Sequence, residues 1–158
     1  MASDLYDDAR REVSERQLGL VDEDELQDIL ASIAERASAD LEGVLTPIAE
    51  RVGTNLAGVL DEGVELRESE GDELLTTIEA WASLASAVTY EAYVGPPREV
   101  GAARFTLPGW AKAVGEKLTD LAKLLGHYLE VAMRALRATS FSISLSFPWG
   151  VSVGLSWG

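Results

Sequence analysis

The chain has 158 residues, of which 47% are hydrophobic and 25% charged, so it is long enough to bury one core and has the composition of a globular protein. It has no cysteine and a single histidine, His127, which excludes disulfides, thiolate metal sites and any site that needs two imidazoles. No glycine-rich phosphate loop, dinucleotide-binding fingerprint or nucleophile elbow occurs in the sequence. We therefore expect no catalytic residues, no cofactor and no metal, and we do not expect an enzyme.

The sequence is strongly acidic, with a formal net charge of -14. Arginine is preferred to lysine, at ten residues against three. This composition resembles that of proteins from salt-loving archaea, because concentrated salt screens the repulsion within such a surface. An ordinary acidic protein is the alternative. The sequence has no stripe of basic residues, so sequence-specific binding of nucleic acid is not expected.

The acidic residues are concentrated in one part of the chain. Residues 1–99 carry 24 acidic and seven basic residues, whereas residues 100–158 carry three acidic and six basic residues. The segment from Ala138 to Gly158 has no charged side chain. The start of the sequence lacks the basic and apolar segments of a signal peptide, and no apolar run reaches the length of a membrane helix. We expect a cytoplasmic protein in a high-salt environment, with no membrane association.

Apolar residues at helical spacing predict the first elements. The first helix begins with Ser3 as its N-cap and ends near Gly19. The second helix covers residues 23–42 and follows Asp22, which forms a capping-box pattern with Glu25.

The next segment contains a helix-start signal in the middle of a continuing apolar stripe. Threonine caps helices and proline suits their first turn, so Thr46 and Pro47 predict a new helix. Two helices joined near residues 43–46 are favoured over one long kinked helix. The acidic residues 61–71, bracketed by glycines, predict a surface loop, and residues 72–93 predict a helix that Asp72 caps.

The chain changes character after residue 94. Two prolines end the helix, and residues 95–108 are predicted to form a connector. The longest periodic run extends from about Trp110 to Ala138 and predicts a long amphipathic helix. The predicted organisation is an acidic helical bundle, a connector, a long amphipathic helix and a β-hairpin arm, over residues 1–94, 95–108, 109–138 and 139–158.

The last segment alternates apolar residues with Ser, Gly or Pro, which is the pattern of β-strands. Residues 148–150 predict a three-residue turn, with Pro148 at its first corner and Gly150 in the left-handed position. This turn pairs Phe147 with Val151 and places all the apolar side chains on one face. A two-residue turn would pair apolar with polar residues and is rejected.

The apolar face of this hairpin is too wide to stay exposed to water, and a single helical body rarely covers such a face fully. We therefore expect it to dock on a partner chain or to close a ring with copies of itself. The predicted fold class is mainly α, a bundle of four to five helices with a C-terminal β-hairpin. The side chains predicted to form the interface are Phe141, Ile143, Leu145, Phe147, Trp149, Val151, Val153, Leu155 and Trp157.

The order of these elements resembles the head-to-tail connector, or adaptor, proteins of tailed viruses, which are small helical bundles that form rings under the portal. The resemblance rests on the helical residues 22–60 and 72–93 and on the strand-like residues 140–158, and it covers most of the chain without a specific motif. It implies a structural protein that forms a homo-oligomeric ring and contacts a portal or tail component of a virion, assembled in the host cytoplasm. With the composition, it implies a virus of a salt-loving archaeon.

A pore-forming or membrane-disrupting protein is the alternative, in which many hairpins with apolar outer faces and Ser/Gly inner faces close a β-barrel. Each predicted strand has about seven or eight residues, fewer than the roughly nine to eleven that span a bilayer. No Lys or Arg flanks the turn. The assembly protein is therefore preferred.

The acidic surface leads to a prediction about solvent. We expect the melting temperature to rise between about 0.1 M and 2 M KCl, because salt screens the repulsion among residues 1–99. Circular dichroism at increasing KCl concentration measures this. A melting temperature that stays flat or falls would contradict the halophilic interpretation.

Overall fold

The computed structural model describes residues 4–16, 18, 23–60, 64–94, 107–146 and 150–157. The described chain is mainly α-helical, and its two strands form an antiparallel hairpin at the C-terminal end, which confirms the predicted fold class. The elements in chain order are α1 (Asp4–Glu15), α2 (Glu23–Val52), α3 (Leu56–Val59), α4 (Glu68–Val94), α5 (Leu107–Ala135), β1 (Ser140–Ser146) and β2 (Gly150–Ser156).

Helix α2 is continuous, so the prediction of two helices joined near residues 43–46 is wrong. Pro47 lies inside the helix. The Thr46 hydroxyl does not cap a new helix but donates a hydrogen bond to the carbonyl of Glu42, at 2.8 Å. A threonine inside a helix commonly bonds to the preceding turn in this way.

Helix α2 ends at a glycine rather than running on to Leu60. Gly53 has a φ of 73°, and the Thr54 N–H donates to the carbonyl of Ala49 at 2.9 Å. This is the geometry of a Schellman motif, which favours glycine because of the left-handed backbone. Asn55 then caps the short helix α3 by accepting a hydrogen bond from the Gly58 N–H at 2.8 Å.

Helix α4 begins at Glu68 and not at Asp72, so part of the predicted loop over residues 61–71 is helical. The Glu70 carboxylate explains the earlier start. It accepts a hydrogen bond from the Arg67 N–H at 2.7 Å, as the acidic residue of a capping box does. The Arg51 guanidinium of α2 holds it from the other side, with N–O distances of 2.9 and 2.5 Å.

The other helix boundaries differ from the predicted ones by a few residues. Helix α1 ends at Glu15 instead of near Gly19. Helix α5 begins at Leu107, so Pro108 lies in its first turn, where its missing N–H is tolerated. Most of the predicted connector, residues 95–106, lies outside the described residues.

A tight turn connects α5 to β1. Arg137 has a φ of 57°, and the Ala138 N–H donates to the carbonyl of Met133 at 3.0 Å. This is again a Schellman motif, with arginine in the left-handed position that glycine usually occupies. The turn leads the chain from α5 into β1, which contacts α5.

One hydrophobic core joins the helices to the hairpin, with buried side chains from α1 to α5 and from β2. Trp81 of α4 lies at its centre and is fully buried. Its indole N–H donates to Asp40 Oδ2 of α2 at 2.7 Å, and the ring of Tyr6 of α1 meets it edge-on, with 5.4 Å between the ring centroids. Trp81 thus connects three helices.

Helices α4 and α5 pack tightly against each other at the start of α4. A Cβ atom added to Gly71 would lie 2.7 Å from the Cβ of Ala135 and 2.9 Å from Leu136 Cγ. Glycine is therefore required at position 71 for packing, although the sequence pattern indicated a loop residue.

The hydrogen bonds that Glu70 accepts from Arg51 and Arg67 lead to a prediction about acid stability. Burial raises the pKa of Glu70, but the hydrogen bonds from Arg51 and from the Arg67 N–H outweigh it and hold this pKa below the usual 4.5. The stability that the carboxylate contributes is therefore complete above pH 4.5 and is lost as the pH falls through the lowered pKa. We expect Glu70→Gln to lower the free energy of unfolding at pH 7 by about 1 to 2 kcal/mol.

The experiment is urea unfolding at pH 7 and at pH 3, with Glu68→Gln as the matched control. Glu68 lies in the same helical turn, and its side chain is exposed. We expect the control to change stability by less than about 0.5 kcal/mol. Equal effects of the two substitutions at pH 7, or an effect of Glu70→Gln that is no smaller at pH 3 than at pH 7, would contradict the assignment.

Candidate interaction surface

The hairpin pairs β1 with β2 in a register that differs from the predicted one. Val151 pairs with Leu145 rather than with Phe147. Gly150 belongs to β2, so residues 147–149 connect the strands and the predicted turn over 148–150 is wrong by one position. This register moves each strand partner by two residues and leaves every side chain on its predicted face, because side chains alternate with a period of two.

The apolar face of the hairpin packs on the helices of its own chain. Strand β1 contacts α5, and strand β2 contacts α4 and α5. Val151 is buried in the core, and Ile143, Val153 and Leu155 are partly buried against it. The helical body of this chain therefore covers part of the face, at these four residues.

A hydroxyl group of α4 fixes the hairpin in this position. Ser86 Oγ accepts a hydrogen bond from the Val151 N–H at 3.0 Å. Its single proton is shared between the carbonyls of Ala82 and Val151, at 2.8 and 3.0 Å. The hydroxyl thereby supplies the hydrogen bonds that a further strand would otherwise give to the Val151 backbone on the side away from β1. Sequence patterns do not single out this role, because Ser86 lies in a helix rich in alanine and serine.

The two ends of the predicted interface are the parts that stay exposed. Phe141 is 37% exposed and Trp157 is 60% exposed, although the Trp157 indole N–H donates to the Leu136 carbonyl at 3.1 Å. The serines of the opposite face are exposed at positions 140, 142, 144, 152 and 156. Of the other predicted residues, Phe147, Pro148, Trp149 and the side chain of Leu145 lie outside the described part of the chain.

The outer edges of the two strands differ. Because Val151 uses its N–H and C=O groups on Ser86, its pair with Leu145 is not a hydrogen-bonded pair of the ladder. Every second pair is of the same kind, so the backbone groups of Phe141 and Ile143 also point away from β2. Among the described residues these groups have no hydrogen-bond partner. Within the part of the chain that the structure describes, strand β1 therefore presents an open edge, whereas α4 covers the start of the β2 edge.

The described residues offer little for chemistry beyond this surface. They contain no group of three or more His, Cys, Asp or Glu side chains placed to hold a metal ion. None of the described helices combines the length and the apolar character that a membrane span requires. His127, the one histidine, is exposed on α5.

Comparison with known proteins found no matching family model, no similar curated protein and no similar solved structure.

The contact between the hairpin and α4 leads to a prediction about stability. Ser86→Ala removes the only hydroxyl that the described residues offer to the Val151 backbone, and two polar groups of a buried residue lose their partner. We expect the free energy of unfolding to fall by about 1 to 3 kcal/mol. Chemical denaturation measures this, with Ser83→Ala as the control because Ser83 is exposed on the same helix. A similar small effect of both substitutions would show that the hairpin does not depend on this contact.

Proposed function

We propose that the protein is a structural subunit of an oligomeric assembly and that its hairpin forms the contact between subunits. The observation that carries the proposal is the open edge of β1 on a hairpin that the helices hold in place. Exposed strand edges readily pair with a strand of another chain, and proteins that remain monomeric usually protect them with charges or prolines. The described residues of β1 include neither a charged residue nor a proline.

The pairing surface in this proposal is the strand edge and not the apolar face that the sequence indicated. Addition of a strand satisfies the backbone groups of Phe141 and Ile143 without disturbing the packing beneath them. The exposed ring of Phe141 lies beside this edge and offers apolar area to the incoming chain. When the incoming strand belongs to a copy and meets β1 with a different surface, the contact is head-to-tail and a ring can close.

The finer proposal is a head-to-tail connector subunit of a tailed virus that infects a salt-loving archaeon, with a portal or tail component as the neighbouring partner. The order of helices followed by a hairpin and the acidic, lysine-poor composition support it. The packing of Ile143, Val151 and Val153 on helices favours assembly over the pore-forming alternative, because that alternative turns the same face toward lipid.

The open edge leads to a prediction about assembly. Phe141→Pro removes the outward N–H of β1 and leaves the ladder to β2 intact, because that N–H is not part of the ladder. We expect the wild-type protein to form a discrete oligomer in 2 M KCl and Phe141→Pro to be monomeric. Size-exclusion chromatography with light scattering measures the mass.

Phe141→Ala is the matched control, since it also removes the ring but keeps the N–H group. We expect it to retain the oligomer, in a reduced fraction. Thermal unfolding of each variant verifies that the helices remain folded. A wild-type protein that stays monomeric, or an oligomer that Phe141→Pro leaves unchanged, would overturn the proposed contact.

A further inference from the structure

A groove opens between α1, α2 and α4, on a part of the molecule that the hairpin contact does not use. Its volume is about 670 Å³. Its described lining combines apolar side chains, among them Leu5 and Val44, with the carboxylates of Asp40, Asp72 and Glu73, and it includes no lysine or arginine. The groove is therefore an acidic site with apolar walls.

Asp40 is the unusual member of this lining. Its side chain is buried, with 7% of the residue exposed, and Oδ2 accepts the indole N–H of Trp81. Within the described residues, Oδ1 has no hydrogen-bond partner, and it is not sealed from the groove that the residue lines. Because this oxygen is open to the groove and receives no hydrogen bond from the described residues, it is available to accept one from a bound group.

The aromatic ring of Tyr6 stands in the same groove. Tyr6 lines the groove, and its ring packs nearly at a right angle against that of Trp81, the residue that donates to Asp40. A carboxylate and an aromatic ring that line one groove can both attract a cation, the first through its charge and the second through its ring quadrupole.

We propose that this groove binds an arginine side chain, presented by a basic segment of a partner protein, with its guanidinium donating to Asp40 Oδ1. The aliphatic stem of arginine matches the apolar walls at Leu5 and Val44, since long basic side chains bury their stems and direct their charge to a polar end. The planar guanidinium is weakly hydrated and stacks on aromatic rings such as that of Tyr6, which favours arginine over lysine.

The chemistry of the lining favours a segment over a free ion. The carboxylates of Asp40, Asp72 and Glu73 do not form one of the clusters that hold a metal ion, as none exists among the described residues. They line one groove together with apolar side chains. An extended basic and apolar segment fits such a lining better than a compact cation, and a chain with a net charge of -14 attracts it.

This proposal stands independently of the hairpin contact, because the two surfaces share no residue. The probe is a fluorescein-labelled peptide of sequence Leu-Arg-Ala-Ala-Leu-Arg-Ala, and fluorescence polarisation in 0.5 M KCl measures its Kd for the full chain. The same peptide with citrulline in place of both arginines keeps the shape and removes the charge. We expect the arginine peptide to bind at least about tenfold more tightly.

Two substitutions address the groove itself. Asp40→Asn keeps an acceptor for Trp81 and removes the charge. Gly43→Leu fills the groove without changing the net charge, because a Cβ atom at position 43 meets no atom within 4 Å. We expect each to weaken binding of the arginine peptide by about tenfold or more.

Each substitution has a matched control away from the groove. Glu79→Gln removes the same charge at an exposed position of α4, and Gly126→Leu adds the same side chain at a position of α5 where a Cβ is equally unobstructed. We expect both controls to bind within about twofold of the wild-type protein. The effect of Gly43→Leu decides the proposal if Asp40→Asn fails to fold.

Three results would overturn the proposal. Absent or equal binding of the arginine and citrulline peptides would show that no guanidinium is recognised. Equal losses in Glu79→Gln and Asp40→Asn would indicate general attraction to the acidic surface. Self-association of the wild-type protein that Gly43→Leu abolishes, without peptide binding, would show that a second copy of the chain occupies the groove.

Discussion

The hydrogen bond between Trp81 and Asp40 is the contact on which the helical body depends. An indole N–H inside a protein needs an acceptor, and the only one that the described residues provide is a carboxylate from a helix 41 positions earlier in sequence. Because hydrogen bonds are directional, this one fixes how far α4 is displaced along α2 and how it is rotated. The ring of Tyr6 then completes the contact by placing α1 on the same indole.

The same hydrogen bond explains why the groove exists. A carboxylate is costly to bury fully, because it loses the water that hydrates it. One oxygen of Asp40 is satisfied by Trp81, whereas the other keeps its access to the groove. If α2 and α4 closed completely at this point, the charge of Asp40 would be buried without water. The Trp81–Asp40 hydrogen bond that aligns the two helices is therefore accompanied by an opening between them.

Charge is distributed in a way that suits assembly of an acidic protein. The balance of residues 1–99 is strongly negative, whereas the hairpin has no charged side chain. Copies of the chain repel one another through their helices, but a contact made by strand edges brings only uncharged groups together. Concentrated salt would reduce the remaining repulsion between the helical bodies.

Much of this fold can be predicted from patterns within single elements. The register of the hairpin and the start of α4 cannot, because they depend on contacts between elements. Apolar spacing predicts the helices, and alternation predicts the strands and their faces. Alternation leaves the register open in steps of two residues. The contact that accompanies the observed register joins Val151 to Ser86, which lies 65 positions earlier in the sequence. The early start of α4 depends in the same way on Arg51, which lies on α2.

The groove is the part that sequence reasoning could not find. Tyr6, Asp40 and Trp81 belong to three different helices, and each fits an ordinary pattern in its own helix. The helical pattern predicts Trp81 to be a core residue, and it is fully buried. Asp40 reads as one of many acidic surface residues, and only its position beside the indole shows that it is buried.

The left-handed turn at Arg137 has a consequence for how the end of the chain unfolds. A residue with a side chain is less stable than glycine in this conformation, by roughly 1 to 2 kcal/mol. The turn leads into β1, and just before that strand the Thr139 N–H donates to the Ser156 carbonyl at 2.8 Å. Contacts of the docked hairpin therefore offset the unfavourable conformation of Arg137. Without these contacts, nothing would stabilise the left-handed residue that ends α5. We therefore expect the end of α5, the turn and the two strands to unfold as one cooperative unit, so that their amide protons exchange with solvent together rather than strand by strand.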